Sequence, residues 1–477
     1  MSWLNVFTID FAVAGLACAM LLADAFLKVP GKVLGWFVAG ALTALFFASF
    51  WVNLDGTVPD GVYAAGPWVV FFKRLFLVAG VLGVLGSLDW LDARTPHRQA
   101  EYYALLLFSL SGMTLLPGVR DWVLMVVAFE LMGIPLAVLA AWAKTDGPPT
   151  EARLGAEAGF KLFITSASSS ALTLFGLAIV VGLSGTSSLF PTREVLLTPL
   201  YAMGLMMVLA GFCFKVGAAP FHLWVPDTYQ GAPLPFVAFL SVAPKAAGLA
   251  ALFVALQAGA FGAHPLWGPA VGGLAALSMV VGNLSALAQS DARRLLALSG
   301  VAQIGYALVA LAARTEQASA MALFFIATYV FTNFGVFLVI HCAAEGMGPP
   351  TLQQLKGLSR RSPWLGGALL VFLLSLAGIP FVVGFWAKLF VFLAAWRAGL
   401  VGLTVAGVVL AVVGLFYYLQ VARSTYMADG DGGPVLTPPF AVRAAIVACL
   451  VAVVGLGLWP RPLVEQANQA AAGFTRR

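Results

Sequence analysis

A row of ionisable side chains lies in stretches of sequence that are otherwise apolar. Lys161, Lys215, Lys245 and Lys388, together with Glu130, each fall within an apolar run long enough to cross a bilayer. A charge at that depth is costly, and such residues mark ion paths and proton relays. Desolvation disfavours the charged form, so burial lowers the pKa of a lysine and raises that of a carboxylate. A lysine brought toward neutrality can take up and release a proton. That is the physical requirement for a relay, and it needs neither a nucleophile nor a metal.

The densest part of this row is GFCFKVGAAPFHLWVPDTYQGAPLPFVAFLSVAPK, from Gly211 to Lys245. Lys215 precedes Pro220 by five residues, and Lys245 directly follows Pro244. Glycine and proline break helices, and a broken helix is tolerated at membrane depth only where protein or water satisfies the freed backbone. Glu130, in VVAFELMGIPLAV, is expected to pair with Lys215, since a charged pair is far cheaper than two lone charges. Lys245 is placed to receive a proton from Lys215 and pass it to the second half of the chain. Lys388 lies eight residues beyond Pro380, in GIPFVVGFWAKLF, and reads as the terminal relay. Lys161 sits four residues after Glu157 on one helix face. It reads either as a proton entrance from the cytoplasm or as a snorkelling lysine paired with that glutamate. His222, two residues past Pro220, can bridge waters near the break. Asp227 reads as an anchor rather than a proton carrier.

Other chemistries find no residues to support them. Cys18, Cys213, Cys342 and Cys449 have no paired spacing, so they offer no disulfide framework and no iron–sulfur site. There is no phosphate-binding glycine loop, no HExxH and no GxSxG. No cofactor or metal is expected, and redox energy would have to come from a partner. The net charge of +6 is spread over short loops without a basic tract, which gives no indication of nucleic acid.

The elements that must hold these charges are membrane helices. Of 477 residues 61% are hydrophobic and 10% charged, with mean hydropathy +0.96. A soluble protein carries about 25% charged residues. Apolar runs of roughly 20 residues exclude a transmembrane barrel. The fold class is therefore an all-α polytopic membrane protein with about fourteen spans. These are expected at 8–27, 33–54, 69–88, 101–118, 121–143, 158–183, 196–228, 234–260, 267–288, 295–313, 319–343, 366–394, 400–422 and 441–460. The first carries Asp10 and lacks a basic leader, so it reads as a retained span.

Two runs, 196–228 and 366–394, are too long for one simple helix. Each contains a break, at Gly217–Pro220 and at Gly378–Pro380. Each is also the fourth of a group of five, which makes the second group inverted relative to the first. Inverted repeats with broken helices at equivalent places are a transporter signature. This predicts a three-helix region over 1–100, one five-helix repeat over 101–260, a second over 261–422, and a C-terminal helix and tail over 423–477. The odd loops and their edges carry about twice the lysine and arginine of the even ones, where Lys73 and Arg74 are counted. That bias places the odd loops in the cytoplasm and both termini on the outer side.

The motifs FKVGAAPFHLWVPDTYQGAP at 214–233, APK at 243–245, FELMGIP at 129–135 and GIPFVVGFWAKLF at 378–390 resemble the antiporter-like proton-pumping subunits of bacterial NADH–quinone oxidoreductase, in their N-type form. The hydropathy match spans essentially the whole chain. The resemblance implies one proton channel built from two inverted halves in the bacterial cytoplasmic membrane. In it Glu130 and Lys215 form the first-half pair, Lys245 connects the halves, Lys388 ends the hydrophilic axis, and Lys161 lies near an additional cytoplasmic-side lysine. It further implies a respiratory complex with antiporter-like neighbours, in which quinone reduction occurs elsewhere. The segment SGVAQIGY departs from the family pattern, with Gln303 where a histidine is usual. Glutamine does not titrate, so water or Tyr306 would have to serve at that point. The rival readings are a cation/proton antiporter subunit of the same fold and a purely structural scaffold.

Overall fold

A computed structural model of the chain describes residues 2–27, 29–145, 149–190, 198–257, 267–427 and 435–475. Nearly all of it is helix, as an apolar chain requires when no water is at hand to satisfy its backbone. Three helices come first: α1 (Thr8–Leu27), α2 (Gly31–Ala48) and α3 (Pro67–Arg94). The next group is α4 (Gln99–Leu115), α5 (Trp122–Ala140), α6 (Pro149–Ser184), α7 (Pro199–Val216), α8 (Trp224–Gly231), α9 (Leu234–Leu240) and α10 (Ala243–Gln257). The third is α11 (Trp267–Leu287), α12 (Ala292–Ala313), α13 (Glu316–Met347), α14 (Pro363–Ala377), α15 (Val383–Arg397) and α16 (Val401–Met427). Two more close the chain, α17 (Phe440–Leu458) and α18 (Arg461–Thr475). Among the described residues the only paired strands are Gly56–Thr57 and Ala64–Ala65.

Every one of the fourteen expected runs carries helix. Twelve helices among the described residues are long and apolar enough to cross a bilayer in one piece, with α9 and α10 counted together as Leu234–Leu256. Of the remaining expected runs, α4 has 17 residues and the run at 366–394 is split into α14 and α15, with 15 each. Pro135 lies inside α5 without ending it. After the last span the chain is helical again over Arg461–Thr475. Its helix α18 packs on α3 and α13.

Both breaks use the same local device. Gly217 has φ +73° and Gly378 φ +87°, left-handed conformations that glycine adopts without a steric penalty. At the first, the N–H of Ala218 donates to the Cys213 carbonyl and that of Gly217 to Phe214. At the second, the N–H of Ile379 donates to Leu374 and that of Gly378 to Ser375. This is the Schellman closure, which satisfies some carbonyls of the last turn and leaves others open to side chains.

The helices fall into an inner and an outer set. The spans Leu234–Leu256 and Ala292–Ala313 are wholly enclosed, and Glu316–Met347 nearly so. The outer helices α1, α2, α6 and α16 leave most of their apolar surface uncovered. Exposed leucine, valine and phenylalanine on those faces suit a lipid solvent.

Candidate functional site

Glu130 of α5, Lys215 of α7 and two serines of α6 meet at one point. Lys215 Nζ lies 3.6 Å from Glu130 Oε1 and donates to Ser166 Oγ at 3.1 Å. Ser170 Oγ donates to the same glutamate oxygen. Ser166 and Ser170 are four apart, so α6 offers both hydroxyls from one face. Gly133 leaves the space the lysine needs, because a Cβ there would come within 3.3 Å of Nζ. A cavity about one water in size adjoins the pair, lined by Phe129, Thr173 and Gly211 among others. Lys215 is 8% exposed and Glu130 34%, so the glutamate edge of the pair reaches the flank of the chain. That is shallower than its position ten residues into an apolar run suggests.

Lys245 lies in α10, between the first break and α12. It is buried beside the first break, its Cε 3.9 Å from where a Cβ on Gly217 would lie. Its ammonium has no hydrogen-bond partner in the protein and stands 5.5 Å from the centre of the Tyr229 ring. Gly300 on α12 makes room for it. A Cβ there would be 2.8 Å from Lys245 Nζ and 3.1 Å from the hydroxyl of Tyr329. Tyr229 and Tyr329 likewise have buried hydroxyls with no partner in the protein. Buried polar groups are almost always hydrogen-bonded, so this cluster is a place that water would enter.

From Tyr329 a second small cavity leads on, lined by Gln303, Thr332, Ser375 and Lys388. Lys388 Nζ donates to the carbonyls of Leu376 at 2.7 Å and Ala377 at 3.1 Å. Those are carbonyls that the break at Gly378 leaves open. Gln303 Nε2 donates to the same Leu376 carbonyl at 3.0 Å and to the Tyr418 hydroxyl at 3.2 Å. The Tyr306 ring lies 4.9 Å from Lys388 Nζ, and its hydroxyl accepts from Asn283. Asn283 in turn accepts from Tyr417 at 3.0 Å.

Two sequence candidates lie away from this line. Lys161 is about two-fifths exposed and pairs with both Glu157 and Asp227, each at 2.7 Å. Asp227 also holds Arg294 of α12, at 2.7 Å. His222 lies in the turn between α7 and α8, and its Nδ1 has no partner in the protein. Among the described residues no three His, Cys, Asp or Glu side chains gather into a metal site.

The sequence reading assigned Lys73 to a loop edge, and this is corrected. Lys73 is fully buried in α3, donating to Asp10 Oδ2 of α1 and, at 2.8 Å, to the Val6 carbonyl. The signal was present as Asp10, an acid inside an apolar run that calls for a cation. The positions of Tyr229 beside Lys245 and of Arg294 beside Asp227 were also missed. A lone tyrosine in an apolar run carries little information about which helix it faces.

A helical bundle with ionisable side chains gathered at two glycine-capped helix breaks defines an antiporter-like membrane subunit. Residues 119–414 match the family described as NADH:quinone oxidoreductase/Mrp antiporter, transmembrane. Subunit N of the NADH-quinone oxidoreductase of Moorella thermoacetica is 34% identical over 99% of both chains. That of Desulforamulus reducens is 35% identical over 89% of this chain and 88% of the relative. A chain of respiratory complex I from Thermus thermophilus superposes with a TM-score of 0.80 at 33% identity, covering 96% of this chain and 99% of the other. A chain of the Mrp complex from a Dietzia species shares the fold, with a TM-score of 0.85 at 20% identity and coverage of 99% and 98%. The chain belongs to the NADH:quinone oxidoreductase/Mrp antiporter family, among the N-type membrane subunits of NADH–quinone oxidoreductase.

Proposed function

We propose that this chain is a proton-translocating membrane subunit of an NADH–quinone oxidoreductase, with quinone reduced elsewhere in the complex. Glu130 and Lys215 hold and release a proton as a pair, Lys245 carries it between the halves, and Lys388 delivers it at the second break. Lys161 serves as the uptake side, and His222 assists near the first break through water. Residues 101–260 and 261–422 act as two inverted halves, each contributing one broken helix. The chain itself supplies no redox centre. Its partners are other membrane subunits of the complex, with antiporter-like neighbours, in the bacterial cytoplasmic membrane, and both termini face the outer side.

The observation that carries this reading is the placing of Lys245. A lysine fixed between two unpartnered tyrosines gains nothing for stability, since a buried cation with no counter-charge is destabilising. Its position is intelligible if the group is there to change protonation. Gln303 does not interrupt the line, because it shares the Leu376 carbonyl with Lys388 and a cavity passes beside it.

The test is proton pumping by the assembled complex reconstituted in vesicles, with Lys215→Ala, Lys245→Ala and Glu130→Ala each checked for assembly. Each is expected to lower protons moved per NADH oxidised by at least severalfold. Gly300→Ala, which crowds Lys245 without removing it, should lower pumping to a smaller extent. Unchanged pumping in all four fully assembled variants overturns the reading and leaves a scaffold.

A further inference from the structure

An open cleft of about 460 Å³ lies between α2, α3, α13 and α18. Its chemistry is layered. Outermost is Asp55, exposed in the loop after α2, with its backbone N–H held by Asn53 Oδ1 at 3.0 Å. Next comes Arg74, which reaches across from α3 to the end of α2. Its Nη2 donates to the Ser49 carbonyl at 2.8 Å and its Nε to Ser49 Oγ at 3.0 Å, with the guanidinium 3.8 Å above the Phe50 ring. Below Arg74 the wall is apolar, with Phe46 and Val78 one helical turn further in on α2 and α3, and Phe331 opposite on α13.

Asp55 and Arg74 line the same cleft, and the hydrogen bonds of Arg74 go to Ser49. Arg74 uses two of its five N–H groups on Ser49, which leaves three for another acceptor. The fourth wall is α18, whose Gln466 and Gln469 face the cleft beside Leu463. A helix of that mixed character belongs at a membrane–water boundary. Trp51, in the loop after α2, and Trp459, between α17 and α18, are both largely exposed, as tryptophans at a membrane–water boundary are.

The geometry points to a phospholipid site for a zwitterionic amine headgroup, phosphatidylethanolamine in type. The phosphate sits on Arg74, the ammonium on Asp55 nearer water, and the upper acyl carbons against Phe46, Val78 and Phe331. Acid, then cation, then grease is the order in which such a lipid presents ammonium, phosphate and chain. An anionic lipid such as phosphatidylglycerol would match Arg74 and leave Asp55 opposed to a headgroup without a cation.

The test uses the assembled complex in vesicles containing either phosphatidylethanolamine or phosphatidylglycerol with a photoreactive acyl chain, and maps labelled peptides. The amine lipid is expected to label the Phe46 and Val78 peptides about fivefold more than the glycerol lipid, the scale of one ionic contact near a membrane surface. Arg74→Gln should reduce labelling by both. Because Arg74 also closes the end of α2, Asp55→Asn is the second variant. It alters only an exposed side chain and should abolish the preference while leaving total labelling in place. Equal labelling of the unaltered complex by the two lipids overturns the proposal, as does a preference that survives Asp55→Asn. Labelling of the isolated chain that disappears in the complex would also overturn it, assigning the cleft to a neighbouring subunit.

Discussion

Lys73 and Lys245 are both lysines enclosed by apolar helices, and their surroundings are opposite. Lys73 has a carboxylate and a carbonyl on its ammonium; Lys245 has neither. Breaking a buried pair by removing one partner costs about 3–5 kcal/mol, whereas replacing both partners with apolar groups of similar volume is close to neutral. Asp10→Leu and Lys73→Met alone should therefore each lower the thermal unfolding midpoint of the solubilised chain sharply. The two together should recover most of the loss. A double variant as unstable as either single one would show that the pair is not what these residues contribute. The pairing of Glu130 with Lys215 was legible in the sequence because one acid and several lysines lay deep in apolar runs. Of the Asp10–Lys73 pair only Asp10 gave a signal, because Lys73 stands near the edge of its apolar run. Lys73 is only seven residues into α3, and its cover comes from Val6, 67 residues away, and from Tyr63 in the preceding loop.

At the scale of elements, the breaks were readable from glycine and proline alone, and the structure resumes helix at Trp224 and Val383. What hydropathy could not show is that both breaks end in the same left-handed turn, and that the second hands its carbonyls to Lys388. Gly378→Ala forces a Cβ into that conformation, at about 1–2 kcal/mol. It also places that Cβ 3.0 Å from Lys388 Cδ. Gly399 is a matched control, with φ +84° and open space around its missing side chain. Both alanine variants should lose similar stability in a thermal melt. Only Gly378→Ala should lower protons pumped per NADH. If Gly399→Ala lowers pumping equally, backbone strain alone accounts for the loss and the link to Lys388 fails.

At the scale of the whole molecule, composition gave the class, since a chain this apolar must satisfy its backbone within helices. The ties between helices far apart in the chain were not legible, because they depend on which faces meet. Asp227 is the clearest case. The sequence makes it an anchor, and the structure shows it joining Lys161 of α6 to Arg294 of α12 across α8. Since α8 also carries Tyr229, which faces Lys245, this tie at the rim fixes one wall of the central cluster. All three charges are about a third or more exposed, so solvent screens them. A double-mutant cycle with Asp227→Asn and Arg294→Gln should give a coupling of about 1 kcal/mol in the thermal stability of the complex, at the low end for residues in contact. The coupling should shrink as ionic strength rises, since surface charges are screened within about 10 Å at 0.1 M salt. The Asp10–Lys73 coupling, sealed from solvent, should not change with salt. A coupling between Asp227 and Arg294 that is zero at low salt, or that ignores salt, would mean that α8 and α12 are joined by apolar packing alone and that the rim charges merely decorate it.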